Sequence, residues 1–288
     1  MPAIVALVFA DSMQGADDKA KDELPPPDPN ANKLTAEETA EGWKLLFDGR
    51  TLAGLRSAKP VDPLKGGWKI DRNALVLPKD VRTQGKVTGG DLIAAVAYDD
   101  FDFCFDFRLA ASANSGVLYF TRGGLGQKIT GHEYQIIDDV HHPEGLKGGA
   151  IKQTGALNGI LPRTGEAFVR MAERWNEEQW NHGRIVVQGK HVEHWLNGEK
   201  CLQYDLGPDL LKQAAAAKVK LPVGFGSKNK SPIVLLDEGE EVAFRNLKIR
   251  PLPAAAPAST PPAAATQTTP PASRALPTPA PARQTFAK

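Results

Sequence analysis

Aromatic and polar residues alternate strictly near the middle of the chain. Residues 101–107 read FDFCFDF, so four phenylalanines share one face while Asp102, Cys104 and Asp106 share the other. A period of two is that of a β-strand, whose successive side chains point to opposite faces of a sheet. The pattern predicts a strand whose aromatic face lies in a core between two sheets. The four aromatic positions are Phe101, Phe103, Phe105 and Phe107.

Further short apolar runs are bounded by glycine and other turn-forming residues. They cover residues 115–121, 133–137, 183–188, 192–196, 201–204, 233–236 and 242–249. Asn197-Gly198 and Glu238-Gly239 each separate two of these runs, and such dipeptides favour tight turns. We therefore expect a hairpin at each of these two places.

Helical patterns are scarce. Residues 35–44 begin with Thr35 and carry Glu38 three positions later, which is the spacing of a capping box. Residues 209–218 read DLLKQAAAAK and are the better helix candidate. Many short strands without regular strand–helix alternation favour an all-β sandwich of two antiparallel sheets over an α/β fold.

Composition divides the chain into three parts. Residues 251–288 are almost entirely Pro, Ala, Thr and Ser, and we predict that this tail is disordered because it has little apolar surface to bury. Residues 1–41 are predicted to be a low-complexity lead with a weak export signal at the apolar run 3–10, although no Lys or Arg precedes that run. Residues 42–250 are left as one domain, and we expect an exported protein, periplasmic or extracellular.

The net charge and the lengths of the apolar runs argue against two classes of partner, and the cysteine content bears on disulfide formation. The formal net charge is +1, and Lys and Arg form no basic stripe, so nucleic acid is not an expected partner. No apolar run is long enough to cross a bilayer, which needs about 20 residues. Cys104 and Cys201 are predicted to be separate buried residues, with a single disulfide as the alternative.

Several ordered blocks resemble the 3-keto-disaccharide hydrolase domain family. The opening block, residues 42–52 (GWKLLFDGRTL), resembles the family's W-x-x-L-F-(N/D)-G-(K/R)-x-L, although Leu55 stands where the family has a closing Trp. The later block GHEYQIIDD, residues 131–139, resembles EYQ(I/L)xD. Asn158 stands where the family often has Tyr. The remaining blocks are residues 113–117 (ANSGV), 155–157 (GAL), 180–181 (WN), 184–187 (RIVV), Gly189, 194–198 (HWLNG) and 242–250 (VAFRNLKIR).

The resemblance implies a concanavalin A-like jelly roll that binds carbohydrate on the concave face of one sheet. The implied substrate is a disaccharide or glycoside whose glucose unit carries a ketone at carbon 3. A base would remove the acidic proton at carbon 2, the group on carbon 1 would be eliminated, and water would then add. One departure is that residues 236–239 read LDEG, where the family commonly has a DHG turn, so any role of that His is lost or passes to Glu238.

The strand EYQII carries the leading catalytic candidate. Alternation sends Glu133 and Gln135 to one face and Tyr134 and Ile136 to the other. If the apolar pair fills the core, Glu133 faces the groove as base or acid, and Gln135 binds substrate there. The alternative is a Glu133 that lies on a solvated face and pairs with a lysine.

Asp138 and Asp139 end this strand, and two histidines follow. We expect Asp138 to assist catalysis and Asp139 to bind substrate. Adjacent carboxylates at a strand end either bind a divalent cation or orient a basic residue. The spacing fits no standard metal motif, so the metal requirement stays open and no cofactor is firmly implied.

Three further side chains complete the candidate site. Asn114, at the start of an apolar strand, and Arg122, at its end, are expected to bind substrate, although an amide at such a joint equally caps a turn. His194 is a further catalytic candidate, and a core Trp195 with an exposed His194 is the expected orientation of that strand.

Three other functions remain open at this point, and one of them, a structural or adhesion protein, is suggested only by the Pro/Ala-rich tail. A non-catalytic carbohydrate-binding module could use the same sandwich, because a fold does not fix a function. A conventional endo-glucanase would carry a pattern such as E-x-D-x-x-E, whereas residues 133–138 read EYQIID and lack the middle carboxylate.

Overall fold

The protein is a sandwich of two antiparallel sheets. The structure is a computed structural model that describes residues 27–79, 90–124, 126–166, 169 and 180–254. The predicted export signal and the tail from residue 255 onward lie outside the described residues. The predicted all-β sandwich of two antiparallel sheets is confirmed.

Thirteen strands are found in the described part of the chain. In chain order they are β1 Lys44–Leu45, β2 Leu55–Ser57, β3 Lys69–Asp71, β4 Ala74–Leu77, β5 Leu92–Tyr98, β6 Phe101–Leu109, β7 Asn114–Arg122, β8 Thr130–Ile137, β9 Asn181–Gln188, β10 His191–Leu196, β11 Glu199–Asp205, β12 Ser231–Leu235 and β13 Val242–Pro251. The larger sheet has the order β11-β10-β9-β6-β13-β4-β3, with β1 also paired to β13. The smaller sheet has the order β2-β5-β12-β7-β8.

Helices in the described residues are short and peripheral. They are α1 Ala36–Ala40, α2 Pro143–Gly148 and α3 Pro208–Ala216, and a 3₁₀ turn covers Gly149–Ile151. The predicted capping box is present, because Thr35 Oγ1 accepts from Glu38 N and the Glu38 carboxylate accepts from Thr35 N. Both helix predictions from the sequence are confirmed, since α3 lies inside residues 209–218 except for its first residue.

The aromatic face of β6 lies between the sheets as predicted. All four phenylalanines are at most 1% exposed. The rings of Phe103 and Phe105 stack with centroids 5.2 Å apart, and Phe105 meets Tyr134 of the smaller sheet edge to face at 5.3 Å. These contacts exclude water from the centre of the sandwich and hold the two sheets together.

The polar face of β6 is also buried, although it lies on the outside of the larger sheet. Asp102 accepts two hydrogen bonds from Arg184, at 2.7 and 2.8 Å, and Asp106 accepts from His182 and Asn246. Neighbouring strands therefore supply the hydrogen-bond donors that allow these carboxylates to lose solvent.

One predicted hairpin forms and the other does not. Asn197 and Gly198 both have positive φ, at 51° and 89°, and join β10 to β11 in a tight turn. The prediction of a hairpin at Glu238-Gly239 was wrong. There β12 belongs to the smaller sheet and β13 to the larger one, so residues 236–241 cross between the two sheets.

Residues before position 42 also contact the sandwich. Asn32 is buried and exchanges two hydrogen bonds with Asn246, at 2.6 and 2.8 Å, while Lys248 pairs with Glu38 of α1. Residues 27–41 thus pack on β13, which itself ends at Pro251. Cys104 and Cys201 are both free thiols, as predicted, but only Cys201 is buried, and Cys104 is half-buried. Among the described residues, no helix is both long and apolar enough to cross a membrane.

Candidate functional site

Strand β8 places Glu133 on the face of the smaller sheet that points away from the larger sheet, which we call the outer face. Tyr134 and Ile136 point the other way and are completely buried in the core. Opposite this strand, β7 carries Gly116, and a Cβ atom there would lie only 3.0 Å from Glu133 Oε1. The missing side chain at Gly116 gives the half-buried Glu133 its space.

Glu133 is the first member of a chain of three polar side chains. Asn158 Nδ2 donates to Glu133 Oε1 at 2.8 Å, and Lys152 Nζ donates to Asn158 Oδ1 at 3.1 Å. The Asn158 backbone N–H also donates to the Glu133 carbonyl at 3.1 Å. Because the ammonium of Lys152 can only donate, the side-chain amide of Asn158 has its oxygen toward the lysine and its NH₂ group toward the Glu133 carboxylate.

Burial raises the pKa of Glu133 to about 7. The hydrogen bond from Asn158 opposes this rise, the nearby negative charge of Glu238 adds to it, and the positive charge of Lys152 opposes it. A carboxyl group with a pKa near neutrality exchanges protons readily at physiological pH, which is what a general base or acid needs.

Residues 155–158 continue the smaller sheet beyond β8. Gln135 N donates to Ala156 O at 3.1 Å, and Gly155 N donates to Gln135 O at 2.9 Å. This edge segment brings Asn158 beside Glu133. It also explains why Gln135 is completely buried although it shares the outer face with Glu133.

Two buried amide atoms near this strand lack hydrogen-bond partners within the described residues. They are Nε2 of Gln135 and Oδ1 of Asn114, and these side chains lie on adjacent strands, with Gln135 opposite Gly116. A buried polar atom without a partner is costly unless a ligand or water satisfies it. Both residues were expected to bind substrate, and the structure places them on the same face as Glu133.

Asp138 has a structural role in the turn after β8. Its carboxylate accepts from the backbone N–H groups of Ser112, Val140 and His141 at 2.7, 3.0 and 3.0 Å, and His141 Nδ1 lies 2.9 Å away. Burial alone would raise the pKa of Asp138, but these hydrogen bonds hold it below its usual value. The structure does not bring Asp138 to Glu133, so the expectation that it assists catalysis finds no support in the geometry.

Asp139 orients a basic residue, which was one of its two alternatives. Its carboxylate accepts from Thr154 N at 2.8 Å and lies 3.3 Å from Arg163. Within the described part of the chain, no group of three or more His, Cys, Asp or Glu side chains is placed to hold a metal ion. Asp139 therefore fixes the loop that leads to Asn158.

The expected orientation of β10 was wrong. His194 is completely buried between the sheets, whereas Trp195 is half-buried on the opposite side, where it stacks with Arg184 at 5.6 Å. Because the core side of β8 carries Tyr134, whose ring lies 4.8 Å from that of His194, the imidazole is separated from Glu133 by the smaller sheet. His194 is not part of the Glu133 site.

His194 instead ends a chain of buried hydrogen bonds between the sheets. Tyr119 Oη lies 2.6 Å from His194 Nε2 and 2.7 Å from Tyr204 Oη, and Tyr204 Oη lies 2.7 Å from His132 Nδ1. At the ends, His194 Nδ1 lies 2.8 Å from the Gly155 carbonyl and His132 Nε2 accepts from Gly226 N.

The groups at the two ends of this hydrogen-bond chain determine the position of each proton in it. The Gly155 carbonyl can only accept and the Gly226 N–H can only donate, so each histidine is a neutral Nδ1–H tautomer and each hydroxyl donates toward His194. Burial lowers the pKa of His132 to about 3 and that of His194 to about 4, which keeps both rings neutral.

Arg122 lies at the opposite end of β7 from Asn114. It is exposed, and its guanidinium covers the backbone of Gly224, where a Cβ atom would lie 2.5 Å from Nε. The structure does not bring Arg122 to Glu133, contrary to the expectation that both act on one substrate.

The turn at residues 236–239, which lacks the family's His, affects the site through the charge of Glu238. Asp237 accepts from Gly90 N and donates its own N–H to Asp91, while Glu238 is exposed and raises the pKa of Glu133. Lys152 was missed by sequence reasoning. Its only signal was its place six residues before Asn158, in a loop whose path no local pattern predicts.

Comparison with known proteins gives the family of the chain's central part. A model of the 3-keto-alpha-glucoside-1,2-lyase-like domain family matches residues 42–250. A 3-keto-disaccharide hydrolase from Bacteroides thetaiotaomicron is 26% identical over 237 residues, which cover 74% of this chain and 79% of that protein.

Solved structures agree with the observed sandwich. A protein from Parabacteroides distasonis ATCC 8503, provisionally described as a glycosyl hydrolase, is 27% identical with a TM-score of 0.63 over 77% of this chain and 100% of its own. A second such protein from the same organism has 24% identity and a TM-score of 0.55 over 73% of this chain and 99% of its own, which shows the shared fold alone.

Proposed function

The chain belongs to the 3-keto-alpha-glucoside-1,2-lyase-like domain family, and on that premise we propose that it is an enzyme that cleaves 3-keto-disaccharides or 3-keto-glucosides. The name of the Bacteroides thetaiotaomicron relative, a 3-keto-disaccharide hydrolase, supports the same substrate class. The substrate binds on the outer face of the smaller sheet, at Glu133.

The ketone at carbon 3 makes a route other than ordinary glycoside hydrolysis accessible. Ordinary glycosidases use two carboxyl groups on either side of an oxocarbenium-like state. In a 3-keto sugar, the proton on carbon 2 is acidic because the adjacent carbonyl accepts the electron pair that remains. Loss of this proton, expulsion of the group on carbon 1 and addition of water together amount to hydrolysis.

One observation carries the assignment of Glu133 as the base. Its carboxyl group is half-buried on the outer face, its pKa is raised to about 7 by that burial, and one of its oxygens is held by Asn158. A base of this strength can accept the carbon 2 proton near pH 7 and return it later in the cycle. Gln135 and Asn114 offer one donor and one acceptor for sugar hydroxyl groups beside it.

Turnover by a Glu133→Gln variant tests this proposal. Gln keeps the shape and can keep the contact with Asn158, but it cannot accept a proton. We expect release of monosaccharide from 3-keto-trehalose and 3-keto-lactose to fall by about a hundredfold to ten-thousandfold. Glu37→Gln, on the exposed side of α1, is the matched control and should keep full activity. The unoxidised parent sugars should not be cleaved by any variant.

A carbohydrate-binding module is the second candidate function. It is favoured by the buried Gln135 and Asn114 atoms, which would bind hydroxyl groups whether or not chemistry followed. If 3-keto sugars bind to the wild-type protein and to Glu133→Gln with equal affinity while neither protein releases monosaccharide, the module is the correct function and the enzyme proposal is wrong.

A further inference from the structure

Lys152 brings a positive charge to the edge of the Glu133 site. The residue directly follows the 3₁₀ turn Gly149–Ile151, and its backbone N–H donates to Gly149 O at 2.8 Å. Its ammonium lies against the backbone of Gly159, where a Cβ atom would be 3.4 Å from Nζ and 3.8 Å from a methyl group of Val219. The glycine therefore gives the ammonium its position, and its side chain remains one-third exposed.

A single amide separates this ammonium from the Glu133 carboxylate. Nζ contacts one end of the Asn158 amide at 3.1 Å, and the other end contacts Glu133 Oε1 at 2.8 Å. The base and the cation are thus held a short, fixed distance apart along the same edge of the sheet.

Enolisation of a bound ketone is accelerated by a base beside the carbon that loses its proton and by a positive group beside the carbonyl oxygen. The base takes a proton from one carbon while negative charge develops on the oxygen bound to the next carbon. A preorganised positive group at that oxygen stabilises the charge more effectively than water does, because it is already oriented and partly desolvated.

Two other cations that could be considered contact different groups. Arg122 covers Gly224, and Arg163 pairs with Asp139 and donates to Gln153 at 3.2 Å. Lys152 also lies 3.6 Å from Glu144, but that carboxylate is more than half exposed, and a pair of this kind is weak enough to yield to a substrate.

We propose that the Lys152 ammonium binds the ketone oxygen on carbon 3 and stabilises the negative charge that forms there, so that Lys152 is a catalytic residue. This inference rests on the proposed function. In this chain Lys152 and Asn158 form a pair beside Glu133, whereas sequences of this family often have a tyrosine in place of Asn158.

The electron and proton changes balance without any additional reagent except water. The carbon 2–hydrogen bond breaks, its proton goes to Glu133, its electrons form the carbon 2–carbon 3 double bond, and the carbonyl pair moves onto the oxygen beside Lys152. That pair then re-forms the ketone, and the electrons of the carbon 2–carbon 3 double bond form a carbon 1–carbon 2 double bond. At the same time the bond between carbon 1 and the glycosidic oxygen breaks, and its electrons leave with that oxygen. The leaving oxygen takes a proton from water, hydroxide adds to carbon 1, and Glu133 returns its proton to carbon 2.

Lys152→Met removes the charge and keeps most of the side-chain length. We expect kcat on 3-keto-lactose to fall by about a hundredfold to a thousandfold, the usual effect of removing one oxyanion donor. Exchange of the carbon 2 proton with deuterium oxide should fall by a similar factor, since the cation acts at enolisation. Lys212→Met, at an exposed ammonium on α3, is the control and should keep wild-type rates.

A double-variant experiment separates catalysis from positioning. If Lys152 only holds Asn158, adding Lys152→Met to Asn158→Ala should cause no further loss. If the ammonium touches the substrate, kcat should fall at least another tenfold in the Asn158→Ala background. Ethylammonium should also partly restore Lys152→Ala, because it supplies the missing cation.

The outcomes distinguish this inference from the function on which it rests. Loss of activity in Glu133→Gln together with full activity in folded Lys152→Met, or the absence of a further loss in the double variant, overturns the role of Lys152 alone. If the wild-type protein neither exchanges the carbon 2 proton nor releases monosaccharide, both proposals are overturned. Circular dichroism and thermal unfolding of each variant show whether the fold is intact, and Lys152→Ala with ethylammonium is measured if Lys152→Met does not fold.

Discussion

The hydroxyl of Tyr119 donates a hydrogen bond to Nε2 of His194 across 2.6 Å in the interior of the sandwich. Tyr119 belongs to the smaller sheet and His194 to the larger one, so this contact joins the two sheets by a directional bond within an otherwise apolar core. A buried polar chain of this kind contributes to stability only while each member keeps its partner, because an unpaired buried group loses the solvation it had in water.

Removing the Tyr119 hydroxyl should therefore destabilise the protein by more than the loss of one oxygen atom from a packed core would. Tyr119→Phe leaves His194 Nε2 without a donor and the Tyr204 hydroxyl proton without an acceptor, and we expect the free energy of unfolding to fall by about 1–3 kcal/mol. Urea denaturation measures this. Tyr98→Phe is the control, since the Tyr98 side chain is largely buried while its hydroxyl makes no hydrogen bond to the described residues and is not among their buried polar atoms. Equal stability of Tyr119→Phe and wild type would contradict the hydrogen-bond chain.

The two buried histidines should make stability depend on acid. Their pKa values of about 3 and about 4 lie below the value near 6.5 in an unfolded chain. Between pH 6.5 and 4 the unfolded state therefore binds more protons than the folded state, and stability falls as the pH is lowered. We expect the imidazole NMR signals of His132 and His194 to show no titration above pH 5. A midpoint near pH 6.5 for either ring would show that it is not held neutral by burial.

Glu133 has the opposite effect on stability. Its pKa is raised to about 7, so the folded state binds its proton more tightly, and the stability that this provides is lost as the pH rises through 7. Glu133→Gln should therefore be more stable than wild type at pH 8, by about 1–3 kcal/mol, and little different at pH 4. Urea denaturation at the two values tests this, and a variant less stable than wild type at pH 8 would contradict the assignment.

The rate of the wild-type enzyme should follow the same ionisation. If Glu133 is the base in the free enzyme, kcat/KM on a 3-keto-disaccharide should rise with pH and level off above an apparent pKa near 7. Asn158→Ala removes a hydrogen bond that lowers the pKa of Glu133, so the increase of kcat/KM with pH should occur at higher pH in this variant. A profile without any ionisation between pH 6 and 8 would show that another group accepts the proton.

Gln135 should affect binding more than chemistry. Its buried Nε2 has no partner among the described residues and lies on the same face as Glu133. We expect Gln135→Ala to raise KM more than it lowers kcat, because a hydrogen bond to a sugar hydroxyl persists from ground state to transition state. Steady-state kinetics on 3-keto-trehalose decides this, and an unchanged KM would remove Gln135 from the substrate site.

Asp138 should matter for stability and not for proton transfer. Asp138→Asn replaces a carboxylate that accepts three backbone N–H groups and pairs with His141, and we expect a loss of about 1–3 kcal/mol of unfolding free energy. Activity per folded molecule should stay within a fewfold of wild type. A loss as large as that of Glu133→Gln, in a variant that is fully folded, would restore Asp138 to the catalytic set.

Local pattern was sufficient wherever one short segment carries all the information. The alternation in residues 101–107, the turn at Asn197-Gly198 and the capping box at Thr35 each depend on neighbours in sequence, and each was predicted correctly. The alternation of β8 likewise indicated that Glu133 and Tyr134 point to opposite faces.

When both faces of a strand carry amphipathic side chains, only the tertiary structure shows which face is buried in the core. The sequence of β10 offers His194 to one face and Trp195 to the other, and polar partners from three other strands make the buried position suitable for the histidine. The structure also decided that β12 and β13 pair in different sheets, because hydrogen-bond partners of a strand lie far away in sequence. Lys152 and Asn158 reach Glu133 through a loop held by Asp139 and Gly155, so their convergence depends on long-range packing that no single segment encodes.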